Sequence, residues 1–238
     1  MWEMHEYRNQ AAVLEALTAK LGQCVSDCVS TRGKASIALS GGSTPQMLYQ
    51  QLSHQVLPWQ SVTVSLADER WVDDVHPQSN ARLIKSSLIQ HEARRAHFVG
   101  MKTSHTDAFA AANSLSAILA RQTLPLDLVV LGMGLDGHTA SLFPNALGLE
   151  MALSDTCRQV CCAIQPLPDA DEPAPLARMT LSLNTILAAH QRILYIRGAA
   201  KRQVLEQALT PGSSTDMPVR AVLHNNPTLT EIYYAPDD

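Results

Sequence analysis

Residues 128–144, LVVLGMGLDGHTASLFP, carry an apolar run into glycines and then set Asp136 and His138 two positions apart. An imidazole that titrates near neutrality can take a proton from water and later return one, and a carboxylate beside it fixes its orientation. Two other apolar runs end in residues suited to chemistry. SGGSTP (40–45) brings Gly41 and Gly42, which let backbone N–H groups approach an anion, and the hydroxyls of Ser43 and Thr44, which can donate to phosphate oxygens. DERWV (68–72) brings Asp68 and Arg70. Late in the chain, Arg178 follows a proline-rich segment and Lys201 opens a helical pattern. A lysine at a helix N-terminus gains nothing from the helix dipole, so its placement points to an anion held there.

Taken singly, each feature has a plainer explanation. SGGSTP is also an ordinary capped turn. Asp136 is also a cap for a helix starting near His138. Asp68 or Glu69 can pair with Arg70 as a surface ion pair of little consequence, and Trp71 reads as packing. Several familiar sites are disfavoured. SGGSTP lacks the lysine of a phosphate-binding P-loop, and GMGLDGH places its third glycine one position short of a dinucleotide fingerprint. Ser43 and Ser141 lie in no G-x-S-x-G elbow, so attack by water is preferred to a covalent route. No ligand cluster emerges among the nine histidines and the acids, so neither metal nor cofactor is expected.

The elements that must position these residues alternate almost throughout. Val13, Leu14, Leu17, Leu21, Val25 and Val29 recur at helical spacing, which predicts a helix over 9–30. ASIAL (35–39) reads as a buried strand, STPQMLYQQL (43–52) as a helix with Ser43 or Thr44 near its cap, and VTVSLA (62–67) as a second strand. Asn80 caps a helix carrying Leu83, Ile84, Leu88 and Ile89, and Ala108, Ala112, Leu115 and Leu119 mark another. LDLVVLG (126–132) is apolar on both faces, the signature of a parallel strand covered by helices. VCCAI (160–164) is a strand, and 165–176 a proline-rich, acidic loop that permits a lid over the site. RMTLSLNTILAAH starts extended and becomes helical; ILYIRG, KRQVLEQAL, VRAVL and TEIYYA then give strand, helix, strand or helix, and a last strand. One α/β domain over 1–238 follows, its strand-end loops converging on one crevice.

The 238 residues are 46% hydrophobic and 17% charged, with formal charge -4, which argues against a general nucleic-acid surface but allows a local basic pocket. Cys24, Cys28, Cys157, Cys161 and Cys162 are odd in number and lack finger spacing, so buried thiols are expected rather than disulfides or zinc. MWEMHEYRNQ has no apolar signal segment, and no run reaches the ~18 apolar residues of a membrane span. A cytoplasmic protein without a membrane partner, monomeric or weakly homodimeric, is the expectation.

LSGGSTP (39–45), ADERWV…HPQSN (67–80), LGMGLDGHTASLFP (131–144), RMTLSL (178–183) and RGAAKRQVL (197–205) together resemble the family of 6-phosphogluconolactonases and glucosamine-6-phosphate isomerases/deaminases, in order and over nearly the whole chain. The resemblance implies a three-layer, Rossmann-like α/β fold with a mostly parallel sheet, helices on both faces and no nicotinamide cofactor. It implies a sugar-phosphate pocket at Gly41, Gly42, Ser43, Thr44, Arg178 and Lys201. It makes His138 the catalytic histidine, with Asp68, Arg70 and Asp136 nearby, either acid being able to orient the imidazole. Deaminase relatives typically carry glutamate five residues after that histidine, where this chain has Phe143. The lactonase branch is therefore expected, acting on 6-phospho-D-glucono-1,5-lactone. An amino-sugar-phosphate isomerase/deaminase and a non-catalytic sugar-phosphate binder are the rivals. Ala67 stands where lactonases often carry glycine.

Overall fold

The structure is a computed structural model and describes residues 1–168, 175–225 and 229–237. In chain order the elements are β1 (Trp2–Glu6), α1 (Gln10–Arg32), β2 (Ala35–Leu39), α2 (Gln46–Ser53), β3 (Val62–Leu66), β4 (Asp68–Arg70), α3 (Asn80–Ser87), β5 (His97–Phe98), α4 (Ala108–Gln122), β6 (Leu128–Leu131), α5 (Leu149–Leu153), β7 (Cys161–Ile164), β8 (Arg178–Leu181), α6 (Leu183–Leu187), β9 (Gln191–Arg197), α7 (Ala199–Leu209), α8 (Val219–His224) and β10 (Thr230–Ala235).

Seven strands form one sheet in the order β1-β10-β9-β6-β2-β3-β5, and every neighbouring pair is parallel. The chain builds outward from β2 to β3 and β5, then returns to β6 on the other side of β2. In open α/β sheets that reversal leaves a crevice beyond the strands' carboxyl ends. SGGSTP leaves β2 and GMGLDGH leaves β6, so the two motifs flank the crevice by construction. The four residues of β6 are all buried, as its unbroken apolar run requires. Helices flank the sheet in a three-layer, Rossmann-like arrangement. Helices α1, α2 and α3 pack in succession, and α8 packs on α6 and α7.

A second sheet of three antiparallel strands, β4-β8-β7, was not anticipated from the sequence. Asp68, Glu69 and Arg70 do not merely trail off β3; they form β4, opposite Thr180, Met179 and Arg178. Ala67 joins the two sheets, its N–H donating to Leu39 O at 2.9 Å and its carbonyl accepting from Leu181 N at 2.8 Å. It is fully buried, which fits a methyl side chain.

Other boundaries differ for local reasons. Helix α2 starts only at Gln46, and Pro45 precedes it without any side-chain cap. Ser79, not Asn80, caps α3, accepting from Arg82 N. No helix opens at His138: Ala140 takes a φ of 49° and Thr139 bridges Leu142, so the chain turns and the next helix waits until Leu149. The alternative left open at VRAVL resolves as helix α8, preceded by Pro218. Strand β1 is the edge of the sheet, with Trp2, Glu3 and Glu6 exposed. Residues 169–174 of the loop at 165–176 lie outside the described residues, and with them the question of a lid.

Candidate active site

The loop after β6 is built around His138. Its Nδ1 lies 2.6 Å from Asp136 Oδ1, and the same oxygen accepts from the backbone N of His138 at 3.1 Å. A carboxylate accepts only, so Nδ1 carries the proton, and in the neutral imidazole the lone pair is on Nε2. No described residue hydrogen-bonds Nε2. Although burial pushes Asp136 up, the hydrogen bond and charge of His138 leave its pKa below the ordinary aspartate value. The loop is tied at both ends, by Gly134 N to His138 O at 2.9 Å and by Thr139 Oγ1 to Gly132 O at 2.8 Å. Gly134 must be glycine for the ring to sit here: a Cβ there would fall 2.2 Å from two His138 ring atoms and 2.5 Å from Asp136 Oδ1. The Phe143 ring packs on the imidazole, centroids 4.2 Å apart.

Opposite lies one face of β4 and β8. Directly opposed residues of antiparallel strands project to the same side, and so do positions i and i+2. Asp68, Arg70, Arg178 and Thr180 therefore share a face. Asp68 is 7% exposed; its Oδ2 accepts from Ser141 Oγ at 2.5 Å and its Oδ1 from Asn80 Nδ2 at 3.3 Å. It is thus occupied by Ser141 and Asn80, which leaves Asp136 as the acid on the imidazole. Arg70 Nη1 donates to Asn80 Oδ1 and to Gln78 O, the latter at 3.1 Å. The Arg178 side chain makes no hydrogen bond to a described residue, its Nε is buried without a partner, and its guanidinium lies 5.6 Å from the Phe143 centroid. Burial first, and then the charge of Arg70, pull its pKa below the usual arginine value. Two guanidinium groups side by side in a half-buried cavity are unfavourable until an anion joins them.

Behind this face stands Glu69, fully buried. Stripping a carboxylate of water costs several kcal/mol unless hydrogen bonds replace the water. Here Arg70 N, Asn80 N and Ala81 N donate at 2.7 Å each, and Ser79 Oγ at 3.0 Å. The negative end also sits at the N-terminus of α3, where the dipole favours it. Burial nevertheless raises the Glu69 pKa against these bonds. The sequence alone offered Glu69 only as a partner for Arg70 in a surface ion pair.

The remaining wall is the loop after β2 and the start of α7. The Ser43 and Thr44 hydroxyls are not spent on capping α2 and have no described partner. Lys201, in the first turn of α7, makes no hydrogen bond or ion pair among the described residues; burial lowers its pKa and Asp136 opposes that shift. Gly41, Gly42, Ser43, Thr44, Asp68, Arg70, His138, Arg178 and Lys201 all line one cavity of about 340 Å³, and Asp136 stands behind His138. All ten residues singled out from the sequence therefore meet in one place. Asn80, Phe143 and Tyr195 also line it. Asn80 was read as a helix cap, and nothing in a strand-like YIRG marks Tyr195. Ser141 is wholly buried against Asp68, which removes it as a nucleophile. Among the described residues no group of three or more His, Cys, Asp or Glu side chains could hold a metal ion.

Residues 8–231 match the family model for glucosamine-6-phosphate isomerases/6-phosphogluconolactonase. The chain is 40% identical over 233 residues to a 6-phosphogluconolactonase of Rhizobium meliloti, covering 98% of each. It is 38% identical over 207 residues to a 6-phosphogluconolactonase of Pseudomonas aeruginosa, covering 87% of this chain and 85% of that one. The crystal structure of a 6-phosphogluconolactonase from Shewanella baltica superposes with a TM-score of 0.92 at 37% identity, over 99% of this chain and 98% of the other. Sequence, sheet order and cavity agree: this chain belongs to the glucosamine-6-phosphate isomerase/6-phosphogluconolactonase family.

Proposed function

We propose that the protein hydrolyses 6-phospho-D-glucono-1,5-lactone to 6-phospho-D-gluconate, the carboxylic-ester hydrolysis of the oxidative pentose phosphate pathway, with a water activated by His138. The observation that carries the reading is the His138 environment. Its Nδ1 is held by Asp136, its Nε2 is uncommitted, and its ring is backed by Phe143. A lactonase needs one base and a water. A deaminase needs a further carboxylate at the position that Phe143 fills with an apolar ring.

His138 Nε2 takes a proton from water as the oxygen adds to the lactone C1. The carbonyl oxygen becomes an oxyanion, stabilised by Arg70 or by backbone N–H groups of the cavity. The intermediate collapses with cleavage of the bond between C1 and the ring oxygen, and the imidazolium returns its proton to that oxygen. Asp136 holds the tautomer and steadies the imidazolium. General acid–base assistance of this kind contributes about 10²–10⁴-fold. Ser43, Thr44, Arg178 and Lys201 grip the phosphate with backbone N–H groups of Gly41 and Gly42, and this remote binding orients C1 toward the water. Asp68, locked by Ser141 and Asn80, sits where it can accept a substrate hydroxyl.

A cytoplasmic location is part of the proposal, resting on the odd number of cysteines and their lack of a disulfide framework in the sequence. No helix among the described residues is long and apolar enough to cross a membrane. Assaying lactone hydrolysis and ammonium release from glucosamine 6-phosphate side by side tests the assignment. Hydrolysis without ammonium release is expected, and the reverse result would move the protein to the other branch.

A further inference from the structure

Arg70 and Asp68 stand two residues apart on the same face of β4, one cationic and one anionic, yet they form no ion pair. Between them lies the Asn80 side chain, 2% exposed. Its Oδ1 accepts from Arg70 Nη1, and its Nδ2 donates to the Asp68 carbonyl at 2.8 Å and to Asp68 Oδ1 at 3.3 Å. A neutral amide can face a guanidinium with one end and a carboxylate with the other. No charged side chain can do both.

The amide is also held in place. Glu69 takes the backbone N of Asn80 and of Arg70, each at 2.7 Å, so the two residues share one buried anchor. The phosphate-binding loop closes over the amide: a Cβ on Gly41 would come within 1.8 Å of Asn80 Oδ1. From Asp68 the hydrogen bonds run on to Ser141 Oγ, three residues past His138. Asn80 thus touches both halves of the cavity wall.

We infer that Asn80 is a positioning residue: it separates Arg70 from Asp68, keeping the guanidinium free to meet the oxyanion instead of being neutralised by its neighbour. The inference rests on the lactonase reading. Without Asn80, Arg70 turns onto Asp68 and its charge is lost to the reaction. With aspartate in its place, the cation is held but quenched, and the donor facing Asp68 is gone. Protonating that aspartate restores a neutral group with one donor and one acceptor.

The test is a double-mutant cycle in kcat for lactone hydrolysis, using the unaltered protein, Asn80→Ala, Arg70→Ala and the double variant, with thermal midpoints measured for each. Asn80→Ala should lower kcat by about tenfold to a hundredfold in the unaltered background and by less than about twofold when Arg70 is already alanine. Equal losses in both backgrounds, or no loss in the first, would overturn the proposal. Should Asn80→Ala fail to fold, Asn80→Asp supplies the same answer through pH. Its rate divided by that of the unaltered protein should climb as pH falls, and a flat ratio would count against the positioning role. Hydrolysis by the unaltered protein with an additive cycle sinks only the role of Asn80. No hydrolysis by the unaltered protein sinks the lactonase reading and this inference together.

Discussion

Arg70 and Arg178 are direct cross-strand partners, and their like charges share one face of the short antiparallel sheet. Like charges directly opposite destabilise an antiparallel pair. The arrangement becomes favourable when negative charge of the substrate meets each guanidinium, the phosphate at Arg178 and the developing oxyanion at Arg70, because hydrogen bonds to charged groups contribute about 1.5–3 kcal/mol each. Arg178→Gln should therefore raise KM for the lactone by about tenfold to a hundredfold with a smaller effect on kcat. Inorganic phosphate should raise the thermal midpoint of the unaltered protein more than that of the variant, which differential scanning measures directly.

Asp136 governs which imidazole nitrogen is free. Asp136→Asn keeps the shape but can present its amide N–H to Nδ1, favouring the wrong tautomer. The expected loss is about 10²-fold or more in kcat with KM nearly unchanged, read from steady-state kinetics. The pKa of Asp136 is depressed, so its carboxylate bond to His138 is fully present above the ordinary aspartate value and is lost only as pH falls through the lower folded one. Any loss of rate from protonating Asp136 should accordingly appear only below the ordinary aspartate range, and it should be absent in Asp136→Asn, as a profile of kcat against pH reads.

Gly134→Ala isolates steric placement from charge. The new methyl would overlap the His138 ring atoms at 2.2 Å, and Gly134 does not occupy a left-handed conformation that alanine would resist. We expect the protein to fold with kcat down by about 10²-fold, the scale of an ångström misplacement, and with product binding by calorimetry little altered. Full activity would mean that the ring can sit elsewhere.

Lys201 carries a pKa lowered mainly by burial. A cation shifted this way is more easily deprotonated in the folded protein, and an anion bound beside it restores the charge. Affinity for 6-phosphogluconate should weaken with rising pH before the ordinary lysine range is reached. Lys201→Arg, which stays charged, should flatten that dependence in calorimetric titrations.

Much of this architecture was readable from residue patterns. Doubly buried runs such as Leu128–Leu131 announce parallel strands, and glycines with hydroxyls or an Asp–His pair at their ends announce a crevice. The antiparallel sheet was not readable, because Asp68–Arg70 is three polar residues long and its pairing with β8 is set by contacts over a hundred residues away in sequence. Ser141, 73 residues from Asp68 in sequence, is hidden for the same reason. Asn80 was legible as a helix-start residue only; that its amide points into the cavity depends on Glu69 and on the missing side chain at Gly41. The helix expected at His138 failed because Gly137 and Ala140 both adopt positive φ.

The most direct test is the initial rate of 6-phospho-D-glucono-1,5-lactone hydrolysis at mildly acidic pH, where unaided ring opening is slow, for the purified protein and for His138→Ala. The unaltered protein should exceed the spontaneous rate by orders of magnitude, and His138→Ala should fall back by about 10²–10⁴-fold while still binding 6-phosphogluconate. A variant that turned the lactone over as fast as its parent would contradict water activation by His138.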